Sequence, residues 1–354
     1  MITPSPALEI GDAFRDADWT SFVTAHPDAT LYHTLPWRDF IVDVFGHTPR
    51  YLVAREGDRL AGVLPLFHVR LPVVGSKLIS LPYDIGSGGA LAASDVVEQR
   101  LAVAAMALAR ELKVGYLELR HAAARPALAS LGLRTQEPVL ISEMTLDSEA
   151  GVQSRIASDH RKAVRKAGSR GVTIRLAETL EDFRAFYDVY LSVFRDFGTP
   201  PYGGRYFSEL WRRFQPHGGV RLFLAETDGR CVGGLTMFCW ERSIVSKFAA
   251  CLPEAVPLRA YAALYWRAIE FGLAGGYRRL SWGTSSRDQA GLIEFKERWG
   301  ATTRPVVLYA LDVRGHAPDL ASYYEAGGLA RKVWRRLPLP LTRAAGAVLN
   351  RWFC

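Results

Sequence analysis

Cysteine is scarce in this 354-residue chain. There are four, Cys231, Cys239, Cys251 and Cys354, and no two form a CxxC pair. The spacing excludes a zinc ribbon or a redox dithiol and fits reduced structural thiols in a cytosolic protein. The eight histidines include no HxH or HExxH spacing, so no histidine-based metal site is expected. No apolar run approaches the roughly 18 residues that a membrane-spanning helix needs. Met1 to Trp19 holds Glu9, Asp12, Asp16 and Asp18, not the basic-then-apolar pattern of a secretory signal. What is present is ordinary globular composition, 49% hydrophobic and 23% charged, which excludes a disordered or collagen-like chain. The length suits about two domains of roughly 150 residues. Lysine and arginine (44) outnumber aspartate and glutamate (36), a net charge of +8 that favours anionic partners.

The chain repeats itself. Residues 50–67, RYLVAREGDRLAGVLPLF, align at an offset of 171 with residues 221–238, RLFLAETDGRCVGGLTMF. Arg50, Ala54, Arg59, Gly62, Leu64 and Phe67 match Arg221, Ala225, Arg230, Gly233, Leu235 and Phe238. Each copy is an alternating strand, a turn with Gly and Asp, and a second strand, the signature of a β-hairpin. Two further matches follow in the same order. A helix-like run leads into Gly115-Tyr116 and another into Gly276-Tyr277. Leu131-Gly132-Leu133 and Trp299-Gly300-Ala301 each precede a strand. Shared turn punctuation alone would give one such match, but three in order point to duplication. The expected organisation is an α/β domain over 8–148, a basic linking helix over 149–171, a second domain over 172–315 and a basic tail over 316–354.

The order hairpin, strand, helix, strand, helix, strand resembles a GNAT-type acyltransferase domain, and here it occurs twice. The chain resembles the Fem-like aminoacyl transferases, which are tandem GNAT-fold proteins. More closely it is similar to the Fem-type proteins found with exosortase and exopolysaccharide systems. The residues that carry this are HRKAVRKA (160–167), FRDFGTPPYGGRYF (194–207), SWGTSSRDQAGLIEFKERWGA (281–301) and RLPLPL (336–341); the first copy contributes LPYDIGSGG (81–89). The fold implied is α/β, two tandem GNAT-like domains with a basic C-terminal helical tail. The function implied is transfer of an acyl or aminoacyl group to an amine or hydroxyl of a cell-envelope or exopolysaccharide precursor. The alternatives are a non-catalytic binding or scaffold protein of polysaccharide biosynthesis and a tRNA-binding protein.

Lys296 carries the most weight as a catalytic candidate. It follows a Gly- and Ser-rich turn, and the first copy has Leu128 in its place. In the resembling family this lysine is taken to face the reaction centre, where a cation stabilises the oxyanion of acyl transfer. The bland alternative is a solvated lysine on a helix face. Ser285 and Arg287 lie between a strand and a helix start, where hydroxyls and a two-pronged arginine suit an anion, although serine there is as often a cap. Arg195 and Tyr206 bracket a Gly- and Pro-shaped loop that borders the substrate cleft in the resembling family. Trp282 is offered as a stacking surface for a sugar or base, against the commoner role of core filling. Lys247 interrupts an apolar strand, which is costly unless the lysine is paired, at a sheet edge or in a cleft. Arg161 and Arg165 fall on one helical stripe at i,i+4 spacing, a candidate grip on a phosphorylated donor or acceptor and otherwise a solvated face.

No tightly bound cofactor or metal is expected, and the acyl donor is either an acyl-CoA or an aminoacyl-tRNA. Residues 253–268, PEAVPLRAYAALYWRA, lack the glycines of an acetyl-CoA pyrophosphate loop, so a cradle of backbone amides is not expected. GSGGA after Asp84 precedes Leu91 rather than a helix start, which argues against a dinucleotide fingerprint. From Arg331 to Cys354 the tail is basic without an acidic residue and carries apolar and aromatic positions, as an interfacial helix would. The expected partners are an anionic acyl donor, an envelope or polysaccharide precursor, tRNA and, through 331–354, the anionic inner face of the membrane. The expected location is the cytoplasm, peripheral on the inner membrane face.

Overall fold

The computed structural model describes residues 7–71, 75–86, 88–315 and 328–352. The first half of the chain runs β1 (Leu8–Gly11), α1 (Asp16–Ala25), α2 (Leu35–Phe45), β2 (Thr48–Pro49), β3 (Leu52–Glu56), β4 (Arg59–Leu64), β5 (Leu66–Leu71), β6 (Gly75–Ser80), β7 (Leu91–Ala92), α3 (Asp95–Glu111), β8 (Tyr116–His121), α4 (Pro126–Ala129) and β9 (Arg134–Gln136). Next come β10 (Val139–Thr145), α5 (Glu149–Arg155), α6 (Ser158–Ser169), β11 (Thr173–Leu176), α7 (Leu180–Phe197), α8 (Gly204–Phe214), β12 (Val220–Thr227), β13 (Arg230–Trp240) and β14 (Ser243–Cys251). The remainder is α9 (Ala260–Ala274), β15 (Arg279–Ser286), α10 (Ala290–Arg298), β16 (Thr302–Pro305), β17 (Val307–Asp312), α11 (Gly328–Trp334) and α12 (Leu339–Leu349).

Both hairpins expected from the repeat are present. β3 and β4 pair antiparallel from Leu52↔Leu64 to Glu56↔Arg59, and β12 and β13 from Val220↔Phe238 to Thr227↔Arg230. Pro65 interrupts the first copy between β4 and β5, which lie in different sheets. Proline lacks the N–H that a continuous ladder needs. The matching position in the second copy is Thr236, where β13 stays continuous and the register shifts by a bulge.

The chain forms two compact units, and each takes a strand from the far side of the linking region. The first holds the described residues through Leu140 together with 305–315; the second holds 141–304 and the last two helices. The first unit has a four-stranded sheet, β1-β3-β4-β7, and a six-stranded sheet, β2-β5-β6-β8-β17-β9. The second has one seven-stranded sheet, β11-β12-β13-β14-β15-β10-β16. The compact units therefore differ from contiguous copies over 8–148 and 172–315. β17 lies between β8 and β9, and β10 lies between β15 and β16. β17 pairs antiparallel with β8 from Val307↔His121 to Asp312↔Tyr116 and with β9 from Leu308↔Gln136 to Ala310↔Arg134. The linking segment 149–171 is two helices instead of one. Ile156, between α5 and α6, is extended and buried in the second unit's core.

In the second unit, alternate residues of β13 serve opposite layers. Leu235, Met237 and Cys239 join a core with Leu264, Ala268 and Ile269 of α9, Leu280 and Trp282 of β15, and Trp299. Phe238 faces Phe248, which also meets Tyr190 of α7 and Phe207 of α8 at ring separations of 5.4 and 5.3 Å. α7 starts at a capping box between Thr179 and Asp182 and stops at Gly198, whose φ of 76° is left-handed. The three described cysteines are free thiols, as expected, and burial raises the pKa of each.

Candidate active site

β14 and β15 run parallel but pair at only three positions, Ser243↔Arg279, Ile244↔Leu280 and Val245↔Ser281. β14 continues to Cys251 and β15 to Ser286, and among the described residues no ladder joins those continuations. The end of each strand therefore offers backbone groups to something other than its neighbour.

Lys296 reaches the end of β15 from α10. It is only 6% exposed, and its Nζ donates to Gly283 O at 3.0 Å, Thr284 O at 3.1 Å and Ser285 Oγ at 2.8 Å. An ammonium has three N–H groups, so all three are engaged. No carboxylate pairs with it among the described residues, and burial pushes its pKa down to about 8. Gly283 makes the arrangement possible by taking a left-handed φ of 71° within the strand. Ser285 is buried at 3% exposure and accepts from Lys296, which leaves its own hydroxyl proton to donate elsewhere. Sequence reasoning named both residues separately; the fold brings them together.

The equivalent opening in the first unit is filled by the chain itself. β6 and β8 also pair parallel at three positions, Lys77↔Tyr116 to Ile79↔Glu118. Beyond them, Ser80 Oγ accepts from the Arg120 amide at 2.8 Å, and the Arg120 guanidinium donates to Leu81 O and Asp84 O at 3.3 Å each. Arg120 and Glu118 form a buried ion pair at 2.7 Å. Gly88 and Gly89 lie against this plug. At Gly89 a side chain would clash with the Arg120 carbonyl and the His121 ring. Leu128, where the second copy has Lys296, is fully buried.

Trp282, Lys247 and Arg287 adjoin this opening along the chain, whereas Arg195 and Tyr206 belong to α7 and α8. Arg287 is exposed just beyond β15. Trp282 is buried against Tyr265 (4.7 Å between rings, edge-on) and Trp299 (5.9 Å), so those rings cover it where a sugar or base would have to stack. Tyr206 is likewise buried, stacked on Tyr202 at 4.3 Å in the α7–α8 aromatic layer, so it packs that layer instead of lining a cleft. Arg195, in the last turn of α7, pairs with Asp196 at 2.8 Å. Lys247 is the extra residue of a bulge: Thr236 opposes Phe248 and Met237 opposes Ser246, which leaves Lys247 between them.

The basic helix α6 divides between two cavities. Arg161 donates to the carbonyls of Gln153 and Ile156, groups left over where α5 ends, which makes it a structural clamp. Arg161 and Arg165 border a cavity of about 190 Å³ with Trp266 and Trp299. One residue on, Lys162 and Lys166 border a larger cavity of about 430 Å³ with Arg259, His160, Tyr261 and Phe295. Its one carboxylate, Asp159, pairs with Arg298 at 2.6 Å. Arg259 opens α9 in a left-handed conformation, φ 69°. Both pairs in α6 have i,i+4 spacing, so only the packing of α6 on α9 selects the second.

In the loop before α9, Pro253 and Pro257 have no backbone N–H, and those of Leu252, Ala255, Val256 and Arg259 donate within the fold. No cluster of His, Cys, Asp or Glu fit for a metal is present among the described residues.

Residues 154–297 match the family model for the acetyltransferase (GNAT) domain. No curated protein matches the chain. Among solved structures, FemX superposes with a TM-score of 0.72 over 86% of this chain and 98% of its own, at 14% identity. L-PGS from Bacillus licheniformis superposes at 0.55 over 93% and 99%, at 12% identity. A tandem GNAT protein from the clavulanic acid biosynthesis pathway superposes at 0.52 over 88% and 100%, at 13% identity. At these identities the likeness is one of fold.

Proposed function

From a chain with the Fem-like tandem GNAT fold and an acetyltransferase-type domain at residues 154–297, we propose an acyl- or aminoacyltransferase whose reaction centre lies where β14 and β15 part. The observation that carries this reading is Lys296, a buried cation with no acidic partner among the described residues, set against Ser285 at that opening. A buried unpaired charge costs stability, so its position is best accounted for by function.

In this reading an amine or hydroxyl of the acceptor attacks the acyl carbonyl, the bond from that carbon to the donor's sulfur or oxygen breaks, and the proton that the acceptor gives up passes through water to that departing atom. Negative charge passes through the carbonyl oxygen. Because the three Lys296 N–H groups are engaged, Lys296 acts through its charge and through Ser285. Ser285, polarised by the ammonium, donates a hydrogen bond to the oxyanion. The acceptor is an envelope or exopolysaccharide precursor, as the resemblance implies. The donor, an acyl-CoA or an aminoacyl-tRNA, places its phosphates on Lys162, Lys166 and Arg259; Phe295, next to Lys296 on α10, is part of that cavity's wall.

Incubating the protein with acyl-CoAs and aminoacyl-tRNAs, each with amine- and hydroxyl-bearing sugar precursors, and reading product masses tests the proposal. A product heavier by the acyl group supports it and names the donor. Donor binding without product from any pair favours the non-catalytic reading.

A further inference from the structure

The last helix buries small and polar residues, half-buries Leu339 and Leu349, and leaves two other aliphatic residues outside. α12 buries Thr342, Gly346 and Asn350, four residues apart and all small or polar, against the loop between α7 and α8. Asn350 Nδ2 donates to Pro200 O at 3.0 Å and Pro201 O at 2.9 Å, and Arg343 lies over the Tyr187 ring at 5.7 Å. A side chain at Gly346 would collide with Pro201. The outward face carries Leu341 and Val348, seven residues apart and hence on one side, at 57% and 52% exposure. Val333 of α11 is 55% exposed and Phe197, beside the Gly198 on which Arg331 packs, is 51% exposed.

Four of the nine large apolar side chains exposed among the described residues therefore belong to this one part of the second unit. The same segments carry Arg331, Lys332, Arg335, Arg336, Arg343 and Arg351, residues 328–352 contain no acidic residue, and the acid beside Phe197, Asp196, is paired with Arg195. Lys332, Arg335 and Arg336 are exposed and form no ion pair among the described residues. An ordinary surface helix puts leucine and valine inward and polar groups outward. Exposed aliphatic side chains within a basic field suit a surface that is anionic outside and apolar beneath.

We propose that α11, α12 and the end of α7 form a docking face for the surface of an anionic phospholipid bilayer. RNA would match the charge but leaves the exposed aliphatic side chains without a role. Among the described residues no helix is long and apolar enough to cross a membrane, so contact is peripheral.

The test is cosedimentation of the full-length protein with vesicles of phosphatidylcholine, with and without phosphatidylglycerol, together with tRNA filter binding. The variant pairs are Leu341→Ser/Val348→Ser and Arg335→Gln/Arg336→Gln, with Val333→Ser as a further aliphatic change should the first pair alter melting. The wild type should sediment with anionic vesicles and not with neutral ones, less so at high salt. The aliphatic pair should weaken partitioning at least about tenfold. The arginine pair should weaken it about fivefold per charge. Absence of sedimentation with anionic vesicles overturns the proposal, as does sedimentation that neither pair weakens. So does tRNA binding that the arginine pair abolishes and the aliphatic pair leaves intact, without vesicle binding.

Discussion

Lys296 and Ser285 meet at 2.8 Å at the end of β15, with two strand carbonyls taking the other protons of the ammonium. The contact depends on α10 returning across a strand whose parallel partner has already parted from it. It has no counterpart in the first unit, where Leu128 occupies the lysine's place and Arg120 fills the opening.

The charge on Lys296 sets an expected pH dependence. Its pKa is pushed from an ordinary value of 10.5 down to about 8. Transfer should fall as pH rises through about 8 and the ammonium loses its proton. Stability should move the other way. Between pH 8 and 10.5 the unfolded chain holds a proton at this lysine that the folded chain has released, so folding becomes more favourable across that window. The gain is at most about 3 kcal/mol. Urea unfolding at pH 7 and pH 10, with Lys296→Met as reference, reads it: the wild type should gain on the variant at the higher pH.

Ser285→Ala should lower kcat by about 10- to 100-fold with little change in KM, because it removes a donor to the transition state and no ground-state contact. A rise in KM at constant kcat would instead make Ser285 a binding residue.

Lys162→Ala/Lys166→Ala should raise KM for the donor at least about tenfold while leaving kcat within about threefold, and the effect should shrink at high salt. Arg161→Ala should do something different. It strips a donor from the carbonyls of Gln153 and Ile156, at about 1–3 kcal/mol of stability. Paired melting and Michaelis curves separate the two.

Arg120→Met leaves Glu118 buried without its partner and should cost about 3–5 kcal/mol, seen as a lower urea midpoint. If the first unit tolerates that change without loss of stability, the plug is not holding it together.

The repeat made much of this fold legible. Six matched positions at one offset, Gly62 and Gly233 among them, and the alternation on either side predicted both hairpins, and both are present. The placement of β10 and β17 was not legible, because a strand that completes a sheet has the same pattern whichever sheet it completes. Lys296 stood out because one copy has a charge where the other has leucine. α6 was ambiguous, since 161/165 and 162/166 have identical spacing and only the packing of α6 on α9 distinguishes them. Trp282 and Tyr206 show the usual limit: an aromatic next to a motif looks the same in sequence whether it lines a cleft or fills the core.

The most direct measurement is single-turnover acyl transfer by wild type and Lys296→Met with the donor that the mass screen identifies, alongside their melting temperatures. Removing the lysine relieves up to about 3 kcal/mol of burial cost and leaves carbonyls without a donor at about 1–3 kcal/mol, so the two nearly offset. The account predicts melting within about 5 °C of wild type and a rate lower by at least about 100-fold. A folded variant that transfers at the wild-type rate would contradict it.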